Sequence, residues 1–443
     1  PLQDTNKFWQ GQEHRSLNMT DPKTLADFMN WVYREYKAEN YCLILWGHGP
    51  ELLFEQSPAT GIDKSAQGGG KSSLYFMPVE LKNALNLADV VNKGKLTIIG
   101  LDACSMSMVE IAYELHGLAK FLVASQEEVP DTSFSYRSLV DRFRKGKVAE
   151  ELCREVVVDY AKAYQEYFFS EATAMHPVTL AAIDLTRMEK LKEPLRQLAA
   201  ALLSAARKNS ESAKAIYFAR QNSQSFVGGL FVDLHDFCDK LGQKVQDLKA
   251  VCRKVSEAID DVVSAHAGVV DGRVLESGDP KLLSHGLSIY FPYLKDGSEK
   301  QYLDQKLVKG IPRMIDKDNE LVTGYQQLNS VVASIRYSVR RQMIKDIEGY
   351  YQGKSFEFAQ ATEWYQFIQR GWSRILASQI LASRKPVNID TVYLAQQCVQ
   401  NLLKIIDDAP PPPSGGAGGG DDMRGISSQA LVKPNGHSIS PVT

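Results

Sequence analysis

The chain has 443 residues, enough for about three domains of average size or for one elaborated α/β domain with additions. Hydrophobic residues make up 44% and charged residues 23%, which excludes a mostly disordered or fibrous chain. With 51 Lys and Arg against 53 Asp and Glu the formal net charge is -2, so no overall field recruits nucleic acid or an anionic membrane, and no nucleic-acid partner is expected.

The first element is a helix predicted over 21–40. Asp21 or Thr24 caps it, and Leu25, Phe28, Met29, Val32 and Tyr33 recur at helical spacing. Tyr41 to Trp46 (YCLILW) is too short for a helix and apolar enough for a buried strand, and it runs directly into the loop Gly47-His48-Gly49-Pro50. Residues 54–73 turn to Gly, Ser, Ala and Lys, a surface loop. After Pro78 the period of Leu81, Leu85 and Val90 predicts a helix. Leu96 to Leu101 (LTIIGL) predicts a second strand, a third helix runs from 105–108 to about Leu118, and Phe121 to Ala124 is a third strand. This alternation predicts a parallel sheet covered on both faces.

Further strands are predicted at Thr179–Leu185 and Gly286–Phe291, between helical patterns near 148–168, 186–208 and 244–267. Beyond Pro292, residues 321–350, 356–382 and 391–406 contain no strand signal. The predicted division is therefore a domain over 1–300, a helical subdomain over 301–409, and a flexible Pro- and Gly-rich linker and tail over 410–443. The cluster Trp364, Tyr365, Phe367, Ile368 and Trp372 reads as helix packing, with contact to a protein partner through this subdomain as the alternative.

No apolar run approaches the ~20 residues that span a bilayer, so no transmembrane segment is expected. The six cysteines include no CxxC pair, and neither a disulfide scaffold nor a thiolate zinc site is indicated. Cys42, Cys153, Cys238, Cys252 and Cys398 read as buried or spare thiols. The first residue is Pro1 and no apolar signal segment precedes the fold. The compartment is left open between cytoplasm and secretion with an N-terminal segment missing.

Two predicted strand ends carry reactive side chains. His48 follows the first strand and Cys104 the second; in neighbouring parallel strands both emerge on one edge, where imidazole can take the thiol proton and later protonate a leaving group. A thiolate where a helix begins also gains from unpaired N–H groups. Gly49, lacking a side chain, lets its N–H face a reacting carbonyl and form an oxyanion hole with the N–H of Cys104. Asp102 shares a face with Cys104 if the segment is extended; it either receives a cationic substrate side chain, orients a partner, or caps the following helix. A His about 50 residues before the Cys is also the caspase spacing.

NYCLILWGHG, LTIIGLDACSMSMVEIAYEL and KFLVASQEEVPDTSFSY, in that order, resemble the core of the clostripain family of cysteine peptidases, relatives of caspases, gingipains, legumain and separase. LNMTDPKTLADFMNWVYREY upstream and SHGLSIYFP downstream extend the resemblance over roughly residues 15 to 295. It implies a caspase-like, mostly parallel sheet flanked by helices. The implied activity is a cysteine endopeptidase cleaving after Arg or Lys through a thioester acyl-enzyme. His48 becomes the dyad base, Cys104 the nucleophile and Asp102 the acid of the primary specificity pocket. A catalytically silent binding or scaffold protein of the same fold is the alternative.

The chain departs from the family at PDTSFSY, where a more glycine-rich segment is expected. Asp131 in that segment is a candidate second pocket acid, with a solvated loop residue as the alternative. The family's initial strand is not visible before residue 15. Self-cleavage between the His and Cys blocks is implied, and Lys64 and Lys71 are the candidate sites. No cofactor is expected from the residues; the resemblance adds calcium as a weak implication, without any EF-hand loop. The GGGKSS stretch at 68–73 lacks the first glycine of a phosphate loop, so nucleotide binding is rejected.

Overall fold

Asp21 opens the first helix, α1 (Pro22–Glu35), its carboxylate accepting from the Lys23 N–H at 2.9 Å. The helix stops short of residue 40 because Tyr36 turns extended and Tyr41 reaches back. The Tyr41 hydroxyl donates to the Tyr36 carbonyl at 2.7 Å and accepts from the Ala38 N–H at 2.9 Å. The computed structural model describes residues 21–47, 54–55, 75–76, 78–130, 133–171, 178–208, 210–226, 230–270, 273–292, 349, 351–353 and 356–375. By contact the chain falls into two units, Pro1–Leu402 and Leu403–Thr443, the second wholly outside the described residues.

After α1 come β1 (Tyr41–Trp46), the short paired strands β2 (Phe54–Glu55) and β3 (Tyr75–Phe76), and helices α2 (Pro78–Asn86) and α3 (Asp89–Asn92). Then follow β4 (Leu96–Asp102), α4 (Val109–Leu115), β5 (Phe121–Ala124), α5 (Tyr136–Arg144), α6 (Ala149–Glu171) and β6 (Val178–Asp184). Two helices, α7 (Glu189–Lys208) and α8 (Ser210–Asn222), lead to β7 (Ser225–Phe226) and β8 (Phe231–Asp233). The remainder is α9 (Leu234–Lys244), α10 (Gln246–Val262), β9 (Val263–Val270), β10 (Arg273–Glu276), β11 (Ser288–Tyr290), α11 (Glu357–Thr362), and α12 (Trp364–Gln366), which runs into a π-helical turn at Phe367–Trp372.

The main sheet has the order β1-β4-β5-β6-β9-β10. β1, β4 and β5 are parallel neighbours, while the pairings β5-β6, β6-β9 and β9-β10 are antiparallel. β9 thereby runs with β1, β4 and β5, and a mostly parallel, mixed sheet results. β4 and β5 are buried throughout, as expected for strands covered on both faces. Ile99, Leu101, Leu122 and Ala124 point to one face, into a core shared with α2, α4, α7 and α9. Ile98, Phe121 and Val123 point to the other, against α6 through Leu152, Cys153 and Val157.

Three sequence expectations shift. The helical pattern near 244–267 ends at Val262, and the residues after it form β9, whose backbone groups pair with β6 from Val178↔Val269 to Ile183↔Val263. Gly268 permits that approach, since a Cβ there would sit 2.7 Å from the Val178 carbonyl oxygen. The predicted strand at 286–291 forms as β11, but it joins β8 and β7 in a separate three-stranded sheet. The third helix begins only at Val109, because Ser105 takes a positive φ and Met108 is extended.

Of the stretch expected as a helical subdomain, residues 356–375 bury their aromatic side chains in the same cluster as α4, α7 and β11. Trp364, Phe367 and Trp372 are at most 1% exposed. The Trp364 and Trp372 indoles donate to the Tyr290 and Pro292 carbonyls, both at 2.7 Å. The expected tail over 410–443 and Cys398 lie outside the described residues, as does any initial strand before residue 15.

Two buried carboxylates on α4 receive this segment. Glu110 accepts from the Tyr290 N–H at 2.7 Å and from the Tyr351 hydroxyl, and Glu114 accepts from the Phe358 N–H at 2.9 Å. Burial pushes Glu110 up to about 7, against the opposing effect of those donors. An acid whose folded pKa is raised contributes stability that is full below about 4.5 and lost as pH rises through about 7. Glu110→Gln, which keeps the acceptor and cannot ionise, is expected to flatten the fall of the melting temperature between pH 5 and 8. Parallel curves for the two proteins would contradict this.

Candidate active site

β1 and β4 pair parallel and in register up to Trp46↔Asp102, and the Gly47 N–H donates to the Asp102 carbonyl at 3.3 Å. β1 thus ends at Trp46, two residues before His48 in the sequence, at the same sheet edge where β4 ends two residues before Cys104. The two predicted strand ends are neighbours. His48, Gly49, Lys64, Lys71 and Asp131 themselves lie outside the described residues.

Cys104 sits on a sharp turn. Ser105 adopts φ 55, in the left-handed region that a residue with a side chain enters at a cost of about 1–3 kcal/mol. The turn is pinned by Ser105 N–H to the Glu127 carbonyl (3.0 Å) and Ser107 N–H to the Ser125 carbonyl (2.8 Å). The sulfur is half-buried and accepts from the Val129 N–H at 3.3 Å. Burial raises the thiol pKa, the Val129 N–H lowers it, and the charges of Glu128 and Glu127 raise it again; the balance is upward. A protonated resting thiol follows, and a base is needed to make it a nucleophile. Cys153, Cys238 and Cys252 are buried, and Cys42, partly exposed like Cys104, has its thiol pushed by burial up to about 12.

Asp102 is 1% exposed. It does not cap α4, whose N-terminal Met108 makes no side-chain cap. Its Oδ2 instead accepts from the Phe134 N–H at 3.2 Å, the Tyr136 hydroxyl at 2.6 Å and the Ser133 hydroxyl, while Oδ1 is buried with no hydrogen-bond partner. Ser133, in the segment where a more glycine-rich sequence was expected, stands at φ 63, and its hydroxyl bond to Asp102 helps offset the strain of a side chain there. Sequence reasoning missed Ser133 and Tyr136 as partners of Asp102.

The turn that carries Cys104 is fastened by the small sheet. Ser288 donates through its N–H and hydroxyl to the Ser107 carbonyl, both at 3.0 Å, and the Ser107 hydroxyl donates to the Gly286 carbonyl at 2.5 Å. Gly286 has φ 92, and a Cβ there would meet Val263 at 2.8 Å, which accounts for the glycine in SHGLSIYFP. Gln126 joins the two parts, donating to Asp233 at 3.0 Å and accepting from the Gly286 N–H at 2.9 Å.

Asp233 also accepts from the His285 N–H (2.6 Å) and lies 3.1 Å from its Nδ1. Burial disfavours the His285 imidazolium, yet the hydrogen bond and charge of Asp233 outweigh it and hold the pKa above the ordinary value. His235 stacks on His285 with ring centres 4.2 Å apart, and His266, on β9 instead of the helix expected for it, is 5.8 Å away. Among the described residues no three His, Cys, Asp or Glu side chains are arranged to hold a metal ion.

Comparison with known proteins adds the following. A profile described as the Clostripain family, peptidase C11, matches residues 4–369. Clostripain from Hathewaya histolytica is 25% identical over 316 residues, covering 62% of this chain and 57% of that protein; the chain thus spans less than two thirds of this relative's length. Among solved structures, a secreted C11 cysteine protease from Bacteroides thetaiotaomicron in complex with an irreversible peptide inhibitor is similar at 16% identity and TM-score 0.43, covering 65% of this chain and 75% of the other. An inactive zymogen C11 protease from Parabacteroides distasonis is similar at 20% identity and TM-score 0.41, covering 66% and 75%.

Proposed function

The chain belongs to the clostripain family, and from that premise we propose that it is a cysteine endopeptidase cleaving after Arg or Lys. The observation that carries this reading is the in-register parallel pairing of β1 with β4, which sets the residue before His48 against Asp102. In the proposed reaction His48 takes the proton of Cys104, and the thiolate attacks the carbonyl carbon of the scissile peptide. The N–H groups of Gly49 and Cys104 receive the oxyanion, where a single donor is worth roughly 3 kcal/mol. The intermediate collapses as His48 gives its proton to the leaving amine, and water then hydrolyses the thioester.

Asp102 is the proposed acceptor for the substrate's cation, with its unpartnered Oδ1 as the supporting feature. Asp131 is a second pocket acid in this reading. Among the described residues no helix is long and apolar enough to cross a membrane.

The test is hydrolysis of short fluorogenic peptides with Arg, Lys or a neutral residue before the scissile bond, with and without calcium. Wild type is expected to favour the basic peptides. Asp102→Asn is expected to raise KM for them by about 10- to 150-fold, from the roughly 1.5–3 kcal/mol of a charge-assisted hydrogen bond. Hydrolysis of none of the peptides under either condition would rule out the peptidase, and an unchanged preference in Asp102→Asn would remove that residue from the pocket.

A further inference from the structure

A buried carboxylate offers about four lone-pair positions and ordinarily shares its donors between both oxygens. Asp102 does not. Three donors converge on Oδ2, all from the four residues Ser133 to Tyr136, and Oδ1 is left buried with none. The arrangement is held under strain, since Ser133 takes the left-handed φ of 63 that brings its hydroxyl to Asp102.

Tyr136 is the anchor of this clamp. It is the first residue of α5, is 40% exposed as a residue, and its hydroxyl lies 2.6 Å from Oδ2. Burial, followed by the hydrogen bond to and the charge of Asp102, raises the phenol pKa above its ordinary value, so the hydroxyl stays a donor. The helix that carries the phenol is held to α6 through Asp159, which accepts from the Ser138 hydroxyl and, at 3.1 Å, from the Arg142 guanidinium.

We infer that Tyr136, with Ser133 in support, is a specificity-determining positioning residue that saturates Oδ2 of Asp102 and so reserves Oδ1 for a cationic substrate side chain. The inference rests on the reading of Asp102 as the pocket acid and adds what turns that acid toward the substrate. Without the phenol, Oδ2 loses a charge-assisted bond and the carboxylate rotates to share its remaining donors. Cationic substrates then bind less well. A loop that merely secures the strand end would produce no such selectivity.

The experiment compares wild type, Asp102→Asn, Tyr136→Phe and Ser133→Gly on matched fluorogenic peptides with Arg or norleucine before the scissile bond, reading kcat and KM separately. Thermal unfolding reports whether each variant is folded. Tyr136→Phe is expected to reduce the preference for the Arg peptide about tenfold, with the loss carried by KM. Ser133→Gly, in which glycine takes the same φ without strain, is expected to lose preference in the same direction by a few-fold, and it bears the test if the Tyr136 variant does not fold. Preference retained by both variants while Asp102→Asn abolishes it overturns the inference alone. So does a loss shared equally by the two peptides or confined to kcat. A wild type that treats both peptides alike, or cleaves neither, overturns the Asp102 reading and this inference with it.

Discussion

Cys104→Ala is expected to lower peptide hydrolysis by about 10,000-fold or more, because it removes the group proposed to form the acyl-enzyme. Among the described residues, the other cysteines are held in strands or helices with thiols that burial keeps from ionising or from reach, so none replaces it. The fold should tolerate the change. The lost atom is half-buried and its one close donor, the Val129 N–H, is a weak partner for sulfur, so the cost is expected to stay near 1 kcal/mol. Intact-mass analysis of the same pair tests maturation. If self-cleavage follows Lys64 or Lys71, fragments beginning at Ser65 or Ser72 appear in wild type and are missing from the variant. Hydrolysis within tenfold of wild type in Cys104→Ala would refute the nucleophile assignment, and identical fragmentation of both proteins would assign the cleavage to another protease.

Trp372→Ala is expected to give the largest stability loss, about 3–5 kcal/mol in urea unfolding, the range for truncating a fully buried Trp. Its ring meets that of Phe291 edge-on with centres 4.6 Å apart and stacks on Tyr217 at 6.2 Å. Removing the indole also strips the Pro292 carbonyl of its donor, an added desolvation cost. The change reaches the site through a short chain of contacts. Phe291 follows β11, and Ser288 of β11 holds the Ser107 carbonyl three residues past Cys104. A loss below 1 kcal/mol would mean that residues 356–375 are marginal to the core, as an independent helical subdomain would be.

The strands that lead to the candidate residues were legible from the amino-acid order because their signals are local. A strand buried on both faces reads as a nearly continuous apolar run, which LTIIGL supplies; YCLILW reads the same way but forms the edge strand, with only Leu43 buried, and a polar or glycine-rich turn follows each run. Cys104 and Asp102 were singled out as candidates in this way, and Phe121–Ala124 and the long helices α6 and α7 were read from apolar runs and periods that need no partner to be recognised.

What escaped the sequence depends on contacts between distant residues. Val263–Val270 follows an amphipathic helix without a breaker, and it becomes a strand because β6 presents a row of backbone groups that β9 satisfies. Glu110 and Glu114 resemble the polar face of α4 until residues 290, 351 and 358 bring donors from far along the chain. Tyr136 has the spacing of any amphipathic helix residue, and nothing near it in the chain indicates a partner at position 102. Periodicity records which side chains leave water. The direction in which a buried carboxylate points is set by donors that folding alone brings together, because leaving such a group unsatisfied costs more than the strain of reaching it.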